Sequence, residues 1–166
     1  MIPCLGEFRH TCDEQGRINI PSRFRELLKQ EESQHLVIMK GFDRCVALYP
    51  LSAWKAFHPR LNQEDFRTKS KARYFKRDLF RGADVQIPDT QGRIQLTKEL
   101  RAHAGISKNV VIYGTGDWLE IWSEPVFDTY LAAGEVMGGT LEENALEFLG
   151  GGRDRGEPSP TGSGIV

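Results

Sequence analysis

The residues of this chain that are best suited to chemistry are two arginines, each at the end of a short turn. Residues 13–17 read Asp-Glu-Gln-Gly-Arg, and residues 89–93 read Asp-Thr-Gln-Gly-Arg. A guanidinium can donate paired hydrogen bonds to guanine or to a phosphate, whereas a nearby carboxylate can hold it against the turn. Two interpretations therefore remain open: Arg17 and Arg93 contact a nucleic acid, or they form local ion pairs with the aspartates four positions before them.

The two turns belong to an internal duplication of the chain. Residues 13–20 correspond to residues 89–96, and further along the chain residues 36–38 correspond to residues 110–112. It ends with residues 46–49, which correspond to 119–122 at an offset shortened from 76 to 73. An ordered series of this kind indicates two structural copies of one unit.

The residue pattern of each copy predicts two strands, then one short helix and then two further strands, which is a ββαββ order. Alternation of polar and apolar residues after each turn predicts a strand, with the strand before it as the other arm of a hairpin. Gly16 and Gly92 suit the positive φ of a tight turn, and Asp13 and Asp89 can bond nearby backbone amides. Ser22 and Thr97 are the expected N-caps of the two helices.

A unit of about 45 residues buries too little surface to fold alone, so we expect the copies to pair in a pseudo-twofold, barrel-like body. Between them the sequence predicts a helix over 52–57 ended by Pro59, and a second helix capped by Asn62 with Glu64 and Asp65 in its first turn. The second helix should bury one apolar face, formed by Ala72, Phe75 and Leu79.

The region after the second copy predicts two more helices. Pro125 can begin the first, with its apolar residues facing inward, and Leu141 to Leu149 can form the second. The inward residues of the first are Val126, Phe127, Tyr130 and Leu131. Residues 150–166 are rich in Gly, Pro and Ser and predict a disordered tail.

The charge distribution is uneven although the net charge is only -1. Six acidic and two basic residues lie between Leu131 and Val166, whereas residues 60–81 hold eight basic and three acidic residues. The chain therefore combines a basic body with an acidic end. No segment is long and apolar enough to span a membrane and no signal peptide is evident, so we expect a cytoplasmic protein.

The sequence argues against an enzyme. Gly114-Thr115-Gly116 begins like a dinucleotide-binding loop, but Leu119 stands at the third glycine position. The four histidines lack metal-ligand spacing, and Cys4, Cys12 and Cys45 are expected to be buried free thiols. We therefore predict no catalytic site, no metal and no cofactor.

Several motifs together resemble the MraZ family of bacterial transcriptional regulators. They are the twin Asp-x-x-Gly-Arg turns, Gly6-Glu7-Phe8-Arg9-His10, Leu48-Tyr49-Pro50-Leu51 with Trp54, and Ile121-Trp122-Ser123. The resemblance implies an α+β, mainly β fold of two tandem AbrB/SpoVT-like swapped-hairpin repeats, with a connecting helical segment and a C-terminal helix. The expected boundaries are 5–51 and 83–126 for the repeats, 52–82 for the connector, 127–149 for the C-terminal helical segment and 150–166 for the tail.

The resemblance also implies a function. It predicts a ring-like homo-oligomer in the cytoplasm and nucleoid that binds direct repeats in double-stranded promoter DNA, that of its own division and cell-wall gene cluster. Carried over by position, Arg17 and Arg93 are the expected DNA contacts, with Arg9, Arg23 and Arg25 as neighbours suited to phosphate. Gln15 and Gln91 complete the predicted interface, and Gln15 stands where the family often has lysine.

One alternative binding role remains open. The chain could act mainly as an AbrB-like assembly or partner-binding module, in the manner of an antitoxin. Its acidic tail, the segment from Leu131 to Val166, would then be the docking segment. Under that hypothesis the loss of Arg17 and Arg93 would leave function intact.

Overall fold

The computed structural model describes residues 3–63 and 67–150, which form eight strands and six helices. The first repeat contains β1 (Cys4–Thr11), β2 (Arg17–Asn19), α1 (Ser22–Lys29), β3 (Leu36–Lys40) and β4 (Cys45–Pro50), followed by the connecting helices α2 (Leu51–Leu61) and α3 (Ser70–Leu79). The second repeat contains β5 (Asp84–Gln86), β6 (Arg93–Gln95), α4 (Lys98–Ala104), β7 (Asn109–Gly116) and β8 (Leu119–Ser123). Helices α5 (Glu124–Met137) and α6 (Leu141–Leu149) follow. The predicted ββαββ order is confirmed in both repeats.

The strands pair across the two repeats as well as within each of them. Six strands form one antiparallel sheet in the order β1-β7-β8-β4-β3-β5, and β2 pairs with β6 in a separate two-stranded ribbon. In the ribbon Ile18 lies opposite Ile94, and in the sheet Ala47 lies opposite Glu120. Both are pairs of equivalent positions in the duplication, so both pairings are centred on the pseudo-twofold axis.

The two arms of the predicted hairpin in the first repeat separate soon after the turn. Cys12 and Ile18 form a single bridge, whereas the whole of β1 pairs with β7 from the other repeat. A local hairpin would leave the buried edge of β7 without hydrogen-bond partners, which is costly for backbone groups. The local hairpin is therefore wrong as a strand pairing, and the swapped-hairpin arrangement is confirmed.

The largest core lies between the ribbon and the six-stranded sheet. Ile18 and Ile94 point into it from the ribbon, and Phe24 and Leu100 enter it from α1 and α4. All four side chains are at most 2% exposed. The other face of β3 and β4 is covered by a second core that includes side chains of α2 and α3, so these strands are buried on both faces.

The two repeat helices begin differently. Thr97 caps α4 as predicted, since its hydroxyl accepts a hydrogen bond from the Leu100 amide at 3.4 Å. The prediction that Ser22 caps α1 is wrong, because Pro21 occupies the cap position and Ser22 is already helical. Pro21 uses its carbonyl to accept the amides of Phe24 and Arg25 instead.

The connecting helices also differ from the sequence predictions. Pro59 does not end the first of them, because α2 continues to Leu61 and Asn62 closes it. Pro59 has no N–H to donate to the Lys55 carbonyl, but both residues are exposed, and the buried Leu61 holds the last turn in place. Asn62 is therefore not the cap of the next helix, which begins at Ser70. The predicted roles of Glu64 and Asp65 fall outside the described residues.

The predicted apolar faces of α3 and α5 are only partly correct. Leu79 is buried, but Phe75 is 43% exposed. Phe127 is buried near the start of α5, where it packs with Trp122, whereas Tyr130 and Leu131 are about half exposed. In each helix, fewer of the apolar residues are buried than the helical periodicity of the sequence predicts.

The described chain divides into two compact units between Asp128 and Thr129. The first contains both repeats and the connector. The second contains the end of α5 and the predicted helix α6, which begins with a capping box formed by Thr140 and Glu143.

We expect Ile18→Ala to lower the free energy of unfolding by about 2–4 kcal/mol, because the side chain is fully buried on the axis between the repeats. Urea denaturation followed by circular dichroism measures this change. Ile87→Ala is the matched control, since Ile87 is 52% exposed and its truncation should cost little. Equal costs for the two variants would contradict the central role of the ribbon pairing.

Candidate nucleic-acid interface

The outer face of the β2–β6 ribbon presents four polar side chains. Alternation along each strand directs Ile18 and Ile94 into the core and leaves their neighbours on the opposite face. These neighbours are Arg17, Asn19, Arg93 and Gln95. Arg17 and Arg93 line the same surface depression, so the fold brings together the two arginines that the sequence places 76 positions apart.

The carboxylate of Asp13 organises the first turn. Its Oδ1 accepts hydrogen bonds from the backbone amides of Gln15 and Arg17, both at 2.9 Å, and its Oδ2 accepts one from Arg17 Nε at 2.6 Å. The Gly16 amide donates to the Asp13 carbonyl at 3.0 Å and closes the turn. One side chain therefore fixes both the backbone of the turn and the direction of its arginine.

The second turn repeats this arrangement. Asp89 accepts the amides of Gln91 and Arg93 and the Nε of Arg93, each at 2.9 Å. The local ion pairs that the sequence left as one interpretation are thus confirmed in both repeats. The contacts use Nε, so the terminal nitrogens of each guanidinium can still donate to another group.

These hydrogen bonds set the protonation of the two aspartates. The backbone N–H of Arg17, followed by its guanidinium, holds the pKa of Asp13 below its usual value. The backbone N–H of Arg93 lowers the pKa of Asp89 in the same way. Because both pKa values are lowered by folding, the stabilisation is present above the usual aspartate pKa of about 3.9 and is lost as the pH falls through the lowered values.

Each turn is also supported from the opposite repeat. Arg25 on α1 lies against Gly92, where any side chain would overlap its guanidinium group. Its equivalent Arg101 on α4 lies beneath Gly16, which has a φ of +83°. The Nε of each of these arginines is buried. Arg25 therefore braces a turn, and Arg101 is a member of the site that sequence reasoning missed, although the duplication maps Arg25 onto it.

The other predicted contact residues occupy different surroundings. Arg23 is exposed on α1, and the side chains of Gln15 and Gln91 are exposed on the turns. Arg9 lies on β1 beside Glu7, Glu124 and Asp128, at 3.2, 3.5 and 3.2 Å. The structure therefore places Gln15 and Gln91 next to the ribbon and surrounds Arg9 with carboxylates.

The groups that suggest other chemistry are placed in structural roles. Gly114 and Gly116 lie in β7, which is followed by a strand, so the dinucleotide-loop geometry is not formed. Cys4, Cys12 and Cys45 are buried free thiols, as predicted, and burial raises the pKa of each. Within residues 3–63 and 67–150, no three His, Cys, Asp or Glu side chains are grouped to hold a metal ion. No helix in the same ranges is long and apolar enough to cross a bilayer.

Comparisons with known proteins place the chain among bacterial regulators. The model of a family described as "MraZ protein, putative antitoxin-like" matches residues 4–78 and again residues 79–147. The chain is 37% identical to the transcriptional regulator MraZ of Natranaerobius thermophilus over 87% of its own length and 97% of the relative. It is 38% identical to that of Moorella thermoacetica over 87% and 97%, and 36% identical to that of Carboxydothermus hydrogenoformans over 87% and 98%.

We expect Arg17→Ala to raise the pKa of Asp13 while leaving the pKa of Asp89 unchanged, because the guanidinium that bonds each carboxylate comes from its own turn. The carboxyl carbon shifts of both aspartates, followed by NMR as the pH is lowered, give the two pKa values. Arg93→Ala is the matched variant and should produce the reverse pattern. An unchanged pKa of Asp13 in Arg17→Ala would show that the guanidinium does not bond the carboxylate in solution.

Proposed function

The chain belongs to the MraZ family of DNA-binding transcriptional regulators, and we propose that its β2–β6 ribbon is the surface that reads DNA. Its relatives are named transcriptional regulators, a role that involves no catalysis. The observation that carries the proposal is the display of Arg17 and Arg93 on one exposed face of a rigid ribbon.

The dimensions of the ribbon suit the major groove of B-DNA. A two-stranded antiparallel ribbon fits this groove, which is about 12 Å wide. Each arginine is held through Nε, so its terminal nitrogens remain able to donate and little side-chain freedom is lost on binding. Such a guanidinium can bond the O6 and N7 atoms of guanine.

Phosphate contacts would come from the flanks of the ribbon. Arg23 is exposed on α1, and the polar side chains of Gln15 and Gln91 lie on the adjoining turns. Arg25 acts through Gly92 in this proposal and keeps the second turn in position. Arg9 would have to exchange its carboxylate partners for a phosphate, so we place it at the margin of the interface.

We further propose that several copies act together on direct repeats in a promoter, that of the division and cell-wall genes beside its own gene, within the cytoplasm and nucleoid. One ribbon offers few base contacts, so useful affinity requires several engaged at once. The second compact unit supports self-association, because it leaves large apolar side chains 74% to 88% exposed. These are Val136, Met137, Leu141, Leu146, Phe148 and Leu149.

Charge supports a contact between copies through α6. This helix carries Glu142, Glu143 and Glu147 and no basic residue, whereas α3 carries four basic residues and an exposed Tyr74. A second copy of the chain therefore offers α6 a partner that is complementary in charge and partly apolar.

The partner-binding role is a second candidate function, and the exposed apolar and acidic surface of α6 is the observation that favours it. In that case α6 would bind another protein and the ribbon would be dispensable. The variants Arg17→Ala and Arg93→Ala distinguish the two functions, because only DNA binding depends on these two arginines.

We expect Arg17→Ala and Arg93→Ala each to weaken binding to promoter DNA by about 5- to 150-fold, the loss of one bidentate arginine contact. Fluorescence anisotropy on the DNA upstream of the gene and on a scrambled duplex, at several salt concentrations, measures both affinity and specificity. If an arginine contacts phosphate instead, the salt dependence should fall by about one counterion.

The control for these variants is Arg44→Ala, which removes the same charge from the exposed turn between β3 and β4, where Arg44 lies against Gly105 at the end of α4. It should preserve the preference for promoter over scrambled DNA. Equal binding by the wild-type protein and both ribbon variants would overturn the proposed interface.

We expect Leu146→Glu/Phe148→Glu to produce smaller oligomers, because it places charge on the apolar surface of α6. Light scattering measures the mass, and binding to one DNA repeat and to an array of repeats measures the effect of valency. The affinity for one repeat should persist while the affinity for the array falls by about 100-fold or more.

Gln34→Glu/Gln63→Glu adds the same charge at exposed positions of the first unit and should leave the mass unchanged. A variant of α6 with unchanged mass would contradict self-association through this helix and favour a different protein as its partner.

A further inference from the structure

The two ends of the β2–β6 ribbon are similar but not identical. The register places Arg17 opposite Gln95 at one end and Arg93 opposite Asn19 at the other. Each end therefore presents one arginine and one amide, with facing Cβ atoms about 5 Å apart. The arginines are equivalent in the duplication, whereas the amides differ in length by one methylene group.

We propose that Asn19 and Gln95 read bases beside the guanines contacted by the arginines, and that their difference makes the preferred DNA site asymmetric. The proposal rests on the DNA-binding surface argued above and adds two specificity-determining residues to it. An Asn or Gln amide can bond both N6 and N7 of adenine in the major groove. Each end of the ribbon would thus read a guanine and a nearby adenine, and the longer side chain of Gln95 would reach an adenine at a different distance from its guanine than Asn19 does.

The spacing along each strand of the ribbon suits base pairs that lie two steps apart. Arg17 and Asn19 are two residues apart on one strand, a rise of about 6.8 Å, which is close to that of two base-pair steps. Both amides lie on the exposed face, and Asn19 and Gln95 themselves are exposed. The four polar side chains can therefore meet a run of consecutive base pairs centred on the pseudo-twofold axis.

The two amides are also held differently. Gln95 Nε2 donates to the Gln15 carbonyl at 2.8 Å, which links it to the opposite turn. The side-chain amide of Gln86 holds the backbone of Gln95 through two hydrogen bonds. Gln86 Nε2 donates to the Gln95 carbonyl at 2.7 Å, and Gln86 Oε1 accepts from the Gln95 N–H at 2.8 Å. His10 stands at the position equivalent to Gln86, and the Asn19 side chain makes no hydrogen bond within the described chain.

The turns beside the two ends add a second difference. Glu14 occupies the first turn where Thr90 occupies the second, and both are exposed. A carboxylate repels phosphate, whereas a hydroxyl can donate to it. The turns therefore affect how tightly each half of the site is held, while the lengths of the amides determine where the preferred adenine lies in each half.

Selection from a pool of random duplexes, followed by sequencing of the bound fraction, tests this proposal. The wild-type protein should enrich a site whose halves differ. Asn19→Gln should make the halves more alike, and Asn19→Gln/Gln95→Asn should exchange the preferences of the two halves. Asn19→Ala and Gln95→Ala should each reduce discrimination at one position in one half by about fivefold or more.

Glu14→Thr is the matched control, because it alters an exposed residue of the turn and should change affinity without changing the enriched bases. All of these residues are exposed, and circular dichroism verifies that the variants fold. Alanine variants that enrich the wild-type sequence unchanged would overturn the role of Asn19 and Gln95 and leave the proposed function standing. A wild-type protein that enriches no sequence would overturn both.

Discussion

The pairing of β2 with β6 across Ile18 and Ile94 is the constraint on which the rest of the structure depends. These two side chains are almost completely buried, and they close the core between the ribbon and the six-stranded sheet. Neither repeat can complete this core alone, because each contributes one strand of the ribbon and three strands of the sheet. The same pairing places Arg17 and Arg93 on one outward face, so folding and the assembly of the candidate interface are one event.

The aspartate in each turn has a local structural role and, in the proposed interface, would also hold the arginine that contacts DNA. Asp13 accepts two backbone amides and one guanidinium, so it would be retained for the turn even if Arg17 bound nothing else. The ion pair uses Nε, which leaves the terminal nitrogens of the guanidinium able to donate to a phosphate or a base. The local ion pair and the DNA contact, which the sequence presents as alternatives, are therefore compatible in one side chain.

Departures from the internal symmetry are as informative as the symmetry itself. The arginines and aspartates of the two turns are matched, and so are the arginines that brace them, Arg25 and Arg101. Asn19 and Gln95 are not matched, and neither are the supports behind them. In the proposed interface, two equivalent arginines would read both halves of a site in the same way, whereas unequal amides would give the protein a direction on DNA. Direction is what arrangement on head-to-tail repeats requires.

The sequence by itself determined the features that depend on neighbouring residues. The ββαββ order, the tight turns at Gly16 and Gly92 and the cap at Thr97 are local patterns that occur once in each copy or in one of them, and the structure contains each of them. The pairing of Arg17 with its aspartate was one of two stated interpretations for the same reason, since four residues of a tight turn bring the two side chains together.

Only the tertiary structure decided the features that depend on distant contacts. It paired β1 with β7 and reduced the local hairpin to one bridge, because the buried edge of β7 needs partners. It carried α2 through Pro59, because the burial of Leu61 outweighs one missing hydrogen bond on the exposed side of the helix. It also placed Arg101 beneath Gly16, a contact between residues 85 positions apart that no local pattern encodes. Periodicity shows which residues must be buried, but the packing of the whole chain determines what buries them.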